Sequence, residues 1–120
     1  MRIEDLQVYR LAMEIGDEMW VLVKDWDFFA KKIIGSQLVR SADSIAANLS
    51  EGFGRYFYKE NRQFCYYSRG SLQELKTWLK KAHNRDLISE DNYNLYIDTL
   101  DILCIKINNY IKSIGMINNK

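Results

Sequence analysis

The chain contains no proline. Average usage would place about six in a protein of this length. Proline interrupts helix interiors and punctuates loops, so a chain without it is free to form long helices joined by short turns. Histidine and cysteine are almost as scarce: one histidine, His83, and two cysteines, Cys65 and Cys104, outside any CxxC pattern. A structural metal site needs three or four gathered ligands, so neither a metal site nor a cofactor is expected. With no secretory signal the cysteines read as two reduced thiols. A single histidine also removes Ser-His-Asp and Cys-His centres unless His83 is itself the base. It lies in KKAHNRD near an apparent helix end, where a cation suits the helix dipole. No apolar run approaches the roughly 18 residues of a membrane-crossing helix. The opening MRIEDLQVYR lacks the apolar stretch of a signal peptide, so a cytosolic protein with no membrane partner is expected.

What is present is enough for one domain: 120 residues, 48% hydrophobic, 28% charged and 13% aromatic. The net charge of +1 excludes a globally basic nucleic-acid-binding protein. Its distribution is uneven. Residues 1–30 sum to −4, 31–59 to +3, 60–88 to +3 and 89–120 to −1. A basic middle between acidic ends creates either a basic face or surfaces that attract one another within the fold.

Four amphipathic patterns succeed one another, over about 5–24, 29–51, 59–84 and 89–114. In the first, Val8, Ala12, Ile15, Met19, Leu22 and Trp26 alternate at spacings of four and three. Asp25 or Asp27 can cap the second, whose stripe is Ile34, Leu38, Ala42, Ile45 and Leu49 and whose stop is Gly52 and Gly54. The third presents Cys65, Ser68, Leu72, Leu75, Leu79 and Ala82, with Phe64 and Trp78 alongside. Ser89 caps the fourth, which carries Tyr93, Leu100, Ile107, Ile111 and Ile114 and ends at Gly115. Ile97, Ile102, Leu103, Cys104 and Ile105 widen its apolar surface beyond one stripe, the pattern of a helix buried on more than one side. The fold class is therefore all-α, an up-down-up-down antiparallel four-helix bundle, with an oligomer indicated by the fourth helix.

A second stripe on the second helix is polar. Gln37, Arg40, Ser44, Asn48, Glu51 and Arg55 succeed one another at spacings of 3, 4, 4, 3 and 4. Short neutral groups between two arginines and a glutamate suit a close helix–helix contact better than open water. Glu51 and Arg55 have the favourable order for an i,i+4 pair. On the third helix Gly70 and Ser71 permit close backbone approach, and Glu74 is a partner for Arg40 or Arg55. The primary reading of Gln37, Arg40, Ser44, Asn48, Glu51, Arg55, Ser71 and Glu74 is a structural polar network, within the bundle or between subunits. The alternatives are a ligand or partner site and a carboxylate pair of Glu51 with Glu74. Nearby arginines favour charged carboxylates, which argues against a proton-donating acid, so no catalytic residue is expected.

The run Gln-Leu-x-Arg-Ser-Ala-x-Ser-Ile-x-x-Asn-Leu-x-Glu-Gly-x-Gly-Arg over 37–55, then Gly-Ser-Leu-x-Glu-Leu over 70–75, closely resembles the four-helix bundle proteins encoded in 23S rRNA intervening sequences. The opening Glu-Asp-Leu-x-Val-Tyr-Arg-x-Ala is similar to that family's first helix. The resemblance implies a small bacterial cytosolic protein, related in fold to the accessory proteins of diversity-generating retroelements and assembling as a ring-like homopentamer. It also implies no established enzymatic activity, with RNA or nucleic-acid binding as the suspected role. The loop DWDFFAKKIIG departs from the family, which commonly has a proline and a glutamate there.

Arg62, Arg69, Lys76 and Lys80 are seven, seven and four apart and so roughly aligned on the third helix; Arg55 and Lys59 prolong the line one way, Lys81 and Arg85 the other. Such a stripe can neutralise several phosphates, and Tyr56, Phe57, Tyr58, Tyr66 and Tyr67 interleave rings that stack on bases. A solvated face for the cations and subunit packing for the rings are the plainer readings. The resulting expectation is a non-catalytic homopentamer that binds RNA through Arg55, Lys59, Arg62, Arg69, Lys76 and Lys80. The alternative is a protein-interaction scaffold, or an accessory factor for an RNA-handling enzyme such as a reverse transcriptase.

Overall fold

Four long helices account for almost all of the computed structural model, which describes residues 1–116. After a 3-10 turn at Ile3–Asp5, α1 spans Gln7–Lys24. Asp27, rather than Asp25, caps the second helix: its carboxylate accepts the Ala30 amide at 3.0 Å. Three helical segments join end to end in that helix, α2: Phe28–Ala30, a π-helical turn Lys31–Gly35, and Ser36–Phe53. In the π turn the Ser36 amide reaches back to the Lys31 carbonyl. Helix α3 spans Tyr58–Asn84 and α4 spans Glu90–Ser113, capped by Ser89, whose hydroxyl accepts the Asn92 amide at 3.1 Å.

The helices pack all-α and without strands among the described residues. Helix α2 lies against α3 most extensively and then α1; α3 covers α4, and the α1–α4 side is the least closed. The core is built from the periodic positions, including Ile15, Met19, Leu38, Ile45, Leu72, Leu79, Leu100 and Ile107. Each such buried aliphatic side chain is worth about 1.5–3 kcal/mol, the main term opposing chain entropy. One position differs from the periodic reading. Val23 is buried while Leu22 and Trp26 are half-buried, because a stripe on a 3.6-residue helix drifts by the next turn. The two buried hydroxyls donate to carbonyls, Ser41 to Leu38 at 3.0 Å and Ser68 across to Ile45 at 2.7 Å.

Glycines act here mainly through their missing side chains. A Cβ on Gly52 would stand 2.7 Å from Asn61 Oδ1, 2.9 Å from the Asn61 carbonyl oxygen and 2.9 Å from Phe64 Cβ. Gly52 is therefore a contact point between α2 and α3, and the helix continues past it to Phe53. That corrects its reading as a helix stop. Gly54 takes the C-cap with φ −78°, a conformation open to any residue. Gly35 likewise admits Val23 of α1. Gly70, read as a site of close approach, has nothing beyond its chain neighbours and its own helix backbone within 4 Å of where a Cβ would lie, among the described residues.

The α3–α4 turn has neither glycine nor proline. Asp86 adopts φ 60°, the Asp86 amide donates to His83 O at 3.1 Å and the Leu87 amide to Ala82 O at 2.9 Å. This is a Schellman closure with aspartate in the left-handed position where glycine is usual.

Candidate functional site

The aligned cations of α3 do not stand free. Arg62 Nη1 donates to the Ile114 carbonyl at 3.2 Å, and Arg69 Nη1 to Asn108 Oδ1 at 2.7 Å. Lys76 pairs with Asp101, and the Lys80 ammonium lies 5.4 Å above the Tyr93 ring. As numbers rise along α3 the partners fall along α4, so the four contacts form a ladder across the antiparallel seam. One partner in four is a carboxylate; the others are a carbonyl, an amide and a ring face. The ladder therefore joins the helices while leaving most of its positive charge uncompensated. At the end of the line, Arg55 donates to Glu51 at 3.0 Å and covers the Phe64 ring at 4.7 Å, and Lys59 is exposed.

The polar stripe of α2 is satisfied locally. Ser44 Oγ donates to the Arg40 carbonyl at 2.9 Å and Asn48 Nδ2 to the Ser44 carbonyl at 2.9 Å, both one turn back. Arg40 is exposed, Gln37, Ser44 and Asn48 are half-buried, and the Glu51–Arg55 pair is a solvent-facing i,i+4 contact. Glu74 accepts the Trp78 indole N–H at 3.0 Å, where the sequence suggests an arginine partner. Ser71 is half-buried on the next face of α3. Within one chain these residues form no continuous cross-helix network among the described residues; they present short polar groups outward.

The rings divide between packing and solvent. Tyr67 sits edge-on to Phe64 at 5.4 Å, and Arg69 lies over Tyr66. Tyr56 is 88% exposed, edge-on to Phe57 at 4.9 Å. Cys65 is buried, which pushes its thiol pKa up to about 11, and both cysteines are free. His83 stacks on Tyr93 at 4.8 Å, and its Nδ1 is buried without a hydrogen-bond partner. Among the described residues no three His, Cys, Asp or Glu side chains gather as metal ligands, and no helix is long and apolar enough to cross a membrane.

Two surface features have no signature in the sequence patterns. A groove of about 770 Å³ opens between α1 and α2, walled by Trp20 and Phe28, which are 63% and 79% exposed, and floored by Val23 and Val39. Lys24, Lys31, Lys32 and Arg40 line it against one acid, Asp43. Partial burial, then the neighbouring Asp17, raises the Asp43 pKa. Each of these cations belongs to a helix that reads as ordinary; only the π turn and the α1–α2 packing bring them together. On the far side of α1 lies an acidic seam with α4, lined by Asp17, Glu18, Val21, Leu22, Leu95 and Tyr96. Partial burial and then Glu14 raise the Glu18 pKa.

The family model of the 23S rRNA-intervening sequence protein matches residues 4–109. The chain belongs to that family. Among solved structures, a protein of unknown function from the S23 ribosomal protein family of Bacteroides thetaiotaomicron superposes with a TM-score of 0.78 at 18% identity, over 88% of this chain and 98% of that one. At that identity the likeness is one of fold. No curated protein matches. The family match takes in α1 to α3 and most of α4, so the stripe of α2 and three of the four ladder contacts lie within it. Among the described residues of this 23S rRNA-intervening sequence family member, nothing marks a catalytic centre.

Proposed function

We propose that this member of the 23S rRNA-intervening sequence protein family is a non-catalytic, self-assembling module, a ring-like homopentamer, that engages RNA or an RNA-containing complex along the α3–α4 seam. The observation that carries the RNA reading is the ladder: four cations meet one carboxylate, so Arg62, Arg69, Lys76 and Lys80 hold a fixed line of positive charge. Arginine carries five N–H donors and lysine three, so each retains donors for a phosphate after its protein contact. Arg55 and Lys59 extend the line, and the exposed Tyr56 and Phe57 offer rings beside it. Assembly is supported by the large apolar side chains left in water on rigid helices, Trp20, Phe28, Leu95, Ile102 and Ile105 among them. They fall on two surfaces, the Trp20–Phe28 groove and the outer face of α4, and exposed apolar patches mark interaction sites.

The test is filter binding or fluorescence anisotropy with structured RNA at low and moderate salt, alongside light scattering. Affinity should fall steeply with salt. Replacing Arg62, Arg69 and Lys76 by Gln should weaken it at least tenfold while the circular dichroism spectrum holds. No binding at low salt, or binding indifferent to these replacements, refutes the RNA reading. A single-chain mass at micromolar concentration refutes assembly. The second reading, a scaffold docking a protein such as a reverse transcriptase, draws on the Trp20–Phe28 groove; stoichiometric recovery of that enzyme without RNA would favour it.

A further inference from the structure

We propose that the Trp20–Phe28 groove receives the outer stripe of α4 from a second copy of this chain, in a head-to-tail contact. The proposal rests on the assembly reading above and adds which surfaces meet. The stripe comprises Asp91, Leu95, Asp98, Ile102 and Ile105, spaced 4, 3, 4 and 3, so all five share one helix face. All five are exposed, with Leu95, Ile102 and Ile105 at 59%, 55% and 61%. Most of each apolar side chain is left uncovered by the described residues of the same chain, and an amphipathic helix whose apolar anchors repeat along one face is the usual occupant of an apolar groove.

The charges select the same pairing. The groove is lined by four cations and one acid, and none of Lys24, Lys31, Lys32 and Arg40 has an ion-pair partner among the described residues. The stripe carries two carboxylates, Asp91 and Asp98, likewise without an ion-pair partner there. Apolar residues would meet Trp20 and Phe28 while opposite charges meet at the rim, an arrangement that fixes orientation as well as area.

Location excludes an intramolecular solution and shapes the assembly. The groove lies between α1 and α2, whereas the stripe runs along α4, on the other side of α1. Two different surfaces make a heterologous contact, which repeats from copy to copy until it closes into a ring or runs on as a filament. Trp20 walls the groove while its neighbour Val21 lines the α1–α4 seam with Leu95, so the Leu95 end of the stripe is level with the groove, whereas Lys106 donating to Gln7 sets the Ile105 end at the start of α1. An RNA strand is the competing occupant, since bases stack on Trp and Phe beside cations. The matching acidic, apolar stripe on this same chain decides for a second copy.

The experiment is light scattering on the whole protein at a concentration where the unmodified chain is assembled. Lys31→Glu with Lys32→Glu should reduce the mass to that of one chain, and so should Asp91→Lys with Asp98→Lys. Combining all four replacements should restore the assembled mass, because the charges again oppose. If a charge reversal disturbs folding by circular dichroism, the exposed Phe28→Ser and Leu95→Ser take its place and should also give single chains. An assembled mass unchanged by the single-sided variants, or unrestored by the combination, overturns this contact and leaves assembly standing. Groove variants that stay assembled but lose RNA assign the groove to nucleic acid and overturn it too. An unmodified chain that is monomeric removes the assembly reading and this contact together.

Discussion

Replacing Gly52 by alanine separates two explanations of one residue. Were Gly52 needed only as a helix breaker, alanine would lengthen α2 at little cost. The structure makes it a point of contact instead. The new methyl group would stand 2.7 Å from Asn61 Oδ1, 2.9 Å from the Asn61 carbonyl oxygen and 2.9 Å from Phe64 Cβ. The first atom terminates a side chain and can swing away. It would then lose its contact with Cys65 Sγ, while the same amide's Nδ2 would lose the Tyr110 hydroxyl. The other two atoms belong to or adjoin the α3 backbone and move only if the helix does. Overpacking of this sort costs about 1–3 kcal/mol, and two immovable neighbours place Gly52→Ala at the upper end. Against this stands a gain of about 1 kcal/mol from removing glycine from a helix. The net expectation is a loss of about 2 kcal/mol, or a melting temperature lower by about 8 °C for a chain of this size. Urea titration with far-ultraviolet circular dichroism as the readout measures it. Gly54→Ala is the internal control: its Cβ would meet only two carbonyl oxygens, at 3.6 and 3.7 Å, and should be neutral to slightly stabilising. A Gly52→Ala protein as stable as the parent, or a Gly54→Ala protein that is the less stable of the two, would refute the contact argument.

Gly70→Ala should stabilise the isolated chain by about 0.5–1 kcal/mol, since the position is exposed, helical and open; a weaker assembly despite that gain would place Gly70 in a subunit contact. Asp86→Gly should raise stability by about 0.5–1 kcal/mol by relieving the left-handed backbone, whereas Asp86→Val should lower it, both readable by urea titration. Cys65, with its pKa raised from 9.0 to about 11 by burial, holds its proton longer in the folded than in the unfolded chain. Its contribution to stability is thus complete below pH 9 and is lost as pH rises towards 11; Cys65→Ala should flatten that part of the stability profile. A thiol reagent at pH 8 should label Cys104 well before Cys65, and equal rates would contradict the burial.

Periodicity makes the helices legible because an apolar stripe must face a core whatever the partners are. Ile34, Leu38, Ala42, Ile45 and Leu49 are all buried, as their spacing requires. Caps are legible too, since Asp27 and Ser89 act within three residues. The features that escape depend on separations no local pattern encodes. The π turn at Lys31–Gly35 leaves the stripe intact, so the sequence runs through it as ordinary helix. Gly52 carries the same letter whether it ends a helix or admits a neighbour, and only the position of Asn61 decides. The Trp20–Phe28 groove joins side chains from α1 and α2 across a turn whose course the residues do not dictate. Glu74 shows the converse: its place on α3 suggests a long-range arginine partner, and a tryptophan one turn away satisfies it.

The uneven charge distribution admits two readings, a basic face or mutual attraction between segments, and the ladder shows why they are not exclusive. Attraction between the +3 of residues 60–88 and the −1 of residues 89–120 would fully neutralise the seam only if each cation met a carboxylate. Of the four, Lys76 alone does, with Asp101. Arg62 and Arg69 are held by a carbonyl and an amide, and Lys80 by a ring, partners that orient a cation without cancelling it. An exposed ion pair contributes about 0–1 kcal/mol, so the ladder adds little to stability beyond fixing where the cations stand. Fixing them matters for a polyanion, because an immobilised cation loses less side-chain entropy on meeting a phosphate than one on a free side chain. The contacts that hold Arg62, Arg69, Lys76 and Lys80 across the seam thus leave their charge in place as one line, with Arg69 and Lys80 still exposed.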